Sequence, residues 1–162
     1  MSLSEVVVDH PLWAEAPDER RVEWEALIHE LLAPDTLAFR EDAERLLIRM
    51  DETRFELEAL SELDAPLVLA TLPLDRLSDL LSEYVDIVRQ LGAPDESASL
   101  ARLEALDMAK KVTHDKAGRM IRRLAPDLGL DLETARRLFS LLFSLRVDTT
   151  KLLGAHGHRT AR

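Results

Sequence analysis

Cysteine is absent from this chain of 162 residues, so disulfides, thiol catalysis and thiolate metal sites are all excluded. Glycine is scarce, with five in all, and none falls into a phosphate-cradling loop of either common spacing. There is likewise no Gly-x-Ser-x-Gly elbow and no His-Glu-x-x-His pair, which sets aside the enzyme classes those motifs define. No apolar run approaches the ~20 residues of a membrane span. The opening MSLSEVVVDH lacks the basic and long apolar regions of a signal peptide, and the expectation is a cytoplasmic protein. Positive charge is also short: 21 Lys and Arg stand against 31 Asp and Glu, a net charge of −10 that disfavours nonspecific attraction to phosphate or anionic lipid. Carboxylates are so numerous that no single pair of them marks an acid and a base.

The charge is unevenly spread. Residues 1–100 hold 8 Lys and Arg against 24 Asp and Glu, a net of −16, whereas residues 101–162 hold 13 against 7, a net of +6. Such asymmetry marks either an interaction surface or an acidic half lying against a basic half of one domain. The length suits a single domain, expected over 1–147, with 148–162 as a flexible tail because DTTKLLGAHGHRTAR carries no sustained period. Within that tail His156-Gly157-His158 lacks a third ligand, and no metal or cofactor site is expected.

Hydrophobic spacing predicts an α+β fold, mainly helical, with four principal helices on a small antiparallel β-meander of three or four short strands. Val6-Val7-Val8 reads as a strand or as part of a loose terminus, and Pro11 to Trp13 is too short to classify. Pro17-Asp18-Glu19 opens a helix whose apolar face holds Val22, Leu27, Ile28, Leu31 and Leu32, with Trp24 flanking it and His29 a boundary residue, ending before Pro34. Residues 45–50 and 54–59 read as a hairpin, the second strand placing Phe55, Leu57 and Ala59 inward, around an Asp51-Glu52-Thr53 loop that lacks the usual glycine. Leu37 to Arg40 suggests one more strand before the hairpin and Leu67 to Leu72 another after it. Asp75 looks like the cap of an amphipathic helix running to Gly92, and Gly92-Ala93-Pro94-Asp95 like the turn that follows.

The stretch from Leu103 to Leu145 predicts two helices joined at Ala125-Pro126-Asp127-Leu128-Gly129. In the first, Leu103, Leu106, Met120, Ile121 and Leu124 share a face whose middle is weak, with Val112 its aliphatic. Asp131 is placed to cap the second, whose Leu138, Leu141, Leu142 and Leu145, widened by Phe139 and Phe143, predict the central core helix. Two polar groupings stand out. The basic set Lys110, Lys111, Lys116, Arg119, Arg122 and Arg123, extended by Arg136 and Arg137, suits an acidic protein surface, and less well a nucleic-acid backbone. Asp107, His114 and Arg136 or Arg137 meet if the two helices pack antiparallel, an arrangement suited to an acid-base or anion-binding site. The first reading makes the protein a non-catalytic interaction or regulatory domain acting on a protein partner or on a second copy of itself. The second makes it a small-molecule binder or an enzyme.

The order Leu74 to Tyr84, then Glu104-Ala105-Leu106-Asp107-Met108 with His114-Asp115 and Gly118, then Glu133-Thr134-Ala135-Arg136-Arg137-Leu138-Phe139, resembles a small bacterial family known as UPF0262. The likeness covers about Arg20 to Leu145 and is most specific in its last segment. It implies a first helix, a short strand region, a Tyr-ending helix and a closing Ala-Arg-Arg-Leu-Phe helix, and it brings no activity, cofactor or catalytic residue with it. Asp107, His114, Arg136 and Arg137 are the polar positions that match its motif.

Overall fold

The structure is a computed structural model and describes residues 3–33, 38–92 and 99–149. Its strands are β1 (Glu5–Val8), β2 (Arg45–Met50), β3 (Arg54–Leu60) and β4 (Pro66–Pro73). Its helices are α1 (His10–Glu15), α2 (Asp18–Leu31), α3 (Leu74–Gly92), α4 (Leu100–Leu124) and α5 (Leu132–Arg146), with a short 3-10 turn at Pro126–Leu128. The fold is α+β, with the sheet covered on one face by helices.

Strand order is β1-β2-β3-β4, antiparallel from β2 onward, while β1 lies parallel to β2. The sheet is therefore mixed, and the expected meander holds for three of its four strands. Register aligns alternate residues into apolar rows: Val6, Leu46, Ala59 and Val68, then Val8, Ile48, Leu57 and Ala70, then Met50, Phe55 and Leu72. That face is the core face, and Leu46, Ile48, Phe55, Leu57 and Leu72 are completely buried in it. The opposite face is wet and carries Arg49 forked between Glu56 (3.1 Å) and Glu58 (3.2 Å). Asp51 replaces the missing hairpin glycine: its carboxylate accepts from Thr53 N (2.8 Å), Thr53 Oγ1 (2.9 Å) and Arg54 N (3.0 Å).

The strand expected at 37–40 does not form over Ala38 to Arg40, Leu37 lying outside the described residues. The backbone there is engaged elsewhere, Ala38 N with Thr134 Oγ1 (2.9 Å) and Arg40 N with Leu128 O (2.8 Å). Asp75 is a second correction, since α3 begins at Leu74 and Asp75 sits inside its first turn. Of the face expected along α2, Leu27, Ile28, Leu31 and Leu32 are buried or pack against the core, and Val22 does not. Val22 and Trp24 stand about 200° apart on a helix, so only one of them can face inward. Trp24 is fully buried and Val22 is 65% exposed, because the indole removes far more apolar surface from water.

The helices α3, α4 and α5 run antiparallel in sequence. Glu83 meets Thr113 and Arg76 meets Met120 across the first pair; Ser140 meets His114 and Leu130 meets Arg122 across the second. Gly118 permits the second crossing, since a Cβ there would lie 3.0 Å from both Arg136 Cγ and Leu132 Cδ1. Gly129 turns the chain in the left-handed region at φ 70°. Asp131 caps α5 as expected, accepting from Thr134 N at 2.8 Å. The central position of α5 is also as expected: nine of its fifteen residues are buried, including Phe139, Phe143 and all four stripe leucines. Its C-terminal carbonyls are met by Arg20, which reaches Ser144 O at 2.7 Å and lies 5.0 Å over the Trp24 ring.

Candidate functional site

The long helix α4 outruns its partner. Antiparallel pairing with α5 sets Arg146, the last residue of α5, roughly opposite residue 108, so α5 does not extend beside the first two turns of α4. Leu100 is consequently 72% exposed and Leu103 is exposed too, which corrects the expected inward face at that end. The inward residues of α4 are Thr113, Ala117, Gly118 and Ile121. Opposite them, Met108, Val112, Lys116, Arg119 and Arg123 follow one another at helical spacing along the outer side. Met108 is 59% and Val112 44% exposed, and the three cations beyond them are exposed as well.

The basic residues thereby divide into two groups. Lys111 pairs with Asp107 (3.6 Å), and Arg122 donates to Leu130 O (3.0 Å). Arg136 is held between Asp115 (3.1 Å) and Glu133 (3.3 Å). Arg137 is held by Glu133 (3.2 Å) and Glu30 O (2.6 Å). Of these, the Arg136–Asp115 and Arg137–Glu30 contacts tie α5 to α4 and to α2. Lys116, Arg119 and Arg123 make no ion pair among the described residues, and no described ion pair joins a carboxylate of residues 1–100 to a cation of α4. Among the described residues, no ion pair compensates the cations on the outer side of α4.

Of the second grouping, the structure brings together His114 and Arg136 but leaves Asp107 apart. Seven residues separate Asp107 from His114, about 10 Å along the helix axis, and Asp107 is exposed beside Lys111. The carboxylate that does reach the cluster is Asp115, next to His114 in sequence and 3.1 Å from Arg136, outside the expected site. His114 Nε2 lies 2.9 Å from Ser140 Oγ, whose hydroxyl donates to Arg136 O at 3.4 Å. Its ring packs 5.7 Å from both Tyr84 and Phe139. Burial, reinforced by the Arg136 charge, lowers the His114 pKa from its ordinary value, so the ring is neutral at pH 7. Burial likewise pushes the Tyr84 hydroxyl up. A neutral histidine sharing a hydroxyl with a helix carbonyl and wedged among aromatic rings has the geometry of a helix-packing contact. On α5, Arg136 and Arg137 each pair with Glu133.

These elements form an α+β fold in which the outer side of the long helix α4 is exposed. The chain belongs to the uncharacterised protein family UPF0262, whose model matches residues 1–148. Among its relatives, the UPF0262 protein of Maricaulis maris is 33% identical over 138 residues, 80% of this chain and 81% of that one. That of Paramagnetospirillum magneticum is 30% identical over 103 residues, 63% of this chain and 66% of its own. That of Sphingopyxis alaskensis is 30% identical over 104 residues, 64% of this chain. The chain thus spans just under two thirds of the length of the latter two, 66% and 63%. No solved structure matches it. No described helix is long and apolar enough to cross a membrane.

Proposed function

We propose that the protein is a non-catalytic binding module that docks an acidic segment of a partner protein along the outer side of α4. The observation that carries this reading is the juxtaposition of exposed Met108 and Val112 with Lys116, Arg119 and Arg123, cations without an ion pair among the described residues of a chain whose net charge is −10. Apolar contact at one end supplies affinity and the cationic end supplies orientation, steering and register. Lys110 and Lys111 belong to α4 but lie off that side, whereas Arg136 and Arg137 serve it indirectly by fastening α5 to α4 and to α2. A cytoplasmic location and a protein partner belong to this reading together.

The test compares wild type with the Arg119→Glu, Arg123→Glu double variant. A protein retained stoichiometrically by wild type and lost by the variant, then reconstituted from purified components with an affinity that falls as salt rises, is the expected result. Retention of the same partner by both baits overturns the docking surface. If the ligand retained is nucleic acid, affinity falls log-linearly with salt and survives protease treatment of the bound material, and the protein-partner reading fails.

A further inference from the structure

The two edges of the sheet are unlike. At one edge β4 begins and ends with proline, at Pro66 and Pro73, and its pairing with β3 shifts register between Ala59 and Leu60, features that discourage a further strand. At the other edge β1 is three valines behind a glutamate, with no proline, lysine or bulge. Asp9 N donates to Ile48 O (2.9 Å) and Glu5 N to Glu44 O (3.3 Å), so residues 5, 7 and 9 turn their backbone groups toward β2. By alternation Val6 and Val8 turn their N–H and C=O outward, and outside the ladder these meet no backbone partner among the described residues. Their side chains are buried in the core, which fixes the strand rigidly in that orientation.

Beside this edge runs a groove of about 590 Å³, within the size range of ligand sites. Its far wall is one face of α2, where Glu25, Ile28, His29 and Leu32 recur at i, i+3, i+4 and i+7. Trp13 of α1 also lines it, its ring held 5.9 Å from the buried Trp24. Among the described residues no lysine or arginine lines the groove. Of its two carboxylates, Glu5 is paired with Arg45 (2.8 Å) and Glu25 makes no ion pair among the described residues.

We infer that this groove receives an extended peptide segment of a partner protein, which adds a fifth strand to the free edge of β1 under α2. The peptide pairs its backbone with Val6 and Val8, sets apolar side chains against Trp13, Ile28 and Leu32, and places a lysine or arginine opposite Glu25. A single strand suits a groove walled by a helix. The edge of a second folded copy brings its own neighbouring elements, which the α2 wall obstructs. The site is separate from the outer side of α4 and does not depend on that proposal.

A phage-displayed library of random decapeptides, selected on the full-length protein, provides the probe. The expected consensus alternates apolar residues and contains one basic position. A synthetic consensus peptide should lose about fivefold or more in affinity for each N-methylation at every second residue, where its N–H bonds the β1 edge, and little at the intervening ones. Glu25→Lys should weaken binding, and a peptide with its basic residue changed to glutamate should restore it. Glu25 is exposed, so this variant keeps its melting temperature; Ile28→Arg supplies a second block from the apolar wall. Selected peptides that bind both variants as they bind wild type, or that tolerate N-methylation at every position, overturn the inference. So does a concentration-dependent dimer that either substitution abolishes, since the occupant is then a second copy.

Discussion

At the scale of single residues, the deciding quantity is how much apolar surface each side chain hides and what it leaves charged. Trp24 is fully buried, with the Trp13 ring tilted against it and the Arg20 guanidinium over its face, and its indole N–H has no acceptor among the described residues, so its contribution is one of packing. Trp24→Ala is expected to cost about 3–5 kcal/mol, against roughly 0.5 kcal/mol or less for Val22→Ser two residues earlier, as read by urea denaturation. Equal costs would mean that the face of α2 runs through Val22 after all. His114 gives a prediction in pH. Its folded pKa lies below the ordinary value of about 6.5, so above that pH both states are neutral and its contribution is flat. As pH falls, the unfolded chain takes up the proton first, and stability is lost until the folded pKa has been passed. His114→Gln keeps a partner for Ser140 and removes the titration. The melting temperature of wild type should therefore fall more than that of the variant between about pH 7 and pH 5. Parallel profiles would refute the burial of a neutral ring there.

Elements were legible in the sequence wherever one local rule decided them. The alternation from Arg54 to Ala59 was enough to orient β3, and the aspartate before Leu132 was enough to start α5. The Asp131 carboxylate, bonded to Thr134 N, is held below the usual carboxylate range, so its stabilisation is present above pH of about 3.9 and disappears as pH falls through the lowered pKa. Asp131→Ala should cost about 1 kcal/mol at neutral pH, and the gap to wild type should close in acid; thermal melts at the two pH values measure both. Where the environment decided instead, local pattern failed. Leu103 shares a helical face with Ile121, yet α5 ends before reaching it, and no spacing within α4 records the length of another helix. Residues 38–40 have apolar character but spend their hydrogen bonds on Thr134 and Leu128, partners about 90 residues away. For the candidate surfaces the same division holds. The cations of α4 were visible as residues, but which of them are neutralised depends on Glu133 and Asp115 across a helix crossing.

For the molecule as a whole, the parallel placement of β1 joins the amino-terminal strand to the hairpin and carries α1 and α2 across between them, a nonlocal pairing that the sequence pattern left undecided. The charge asymmetry posed the same kind of question, because a sum over each half does not say which groups touch. Ion pairs within the acidic half, among them Arg45 with Glu5 and Arg49 with Glu56, are internal to it, and Arg20 and Asp148 join the halves with the opposite polarity. If the outer side of α4 is free of partners in the folded monomer, reversing Arg119 and Arg123 removes no intramolecular attraction. It also brings a chain of net charge −10 to a more negative total. The double variant should then melt within roughly 0.5 kcal/mol of wild type at moderate ionic strength, the range of ordinary surface substitutions. A loss of several kcal/mol that high salt restores would show that those arginines face carboxylates of the same chain, and the binding surface proposed on α4 would have to be abandoned.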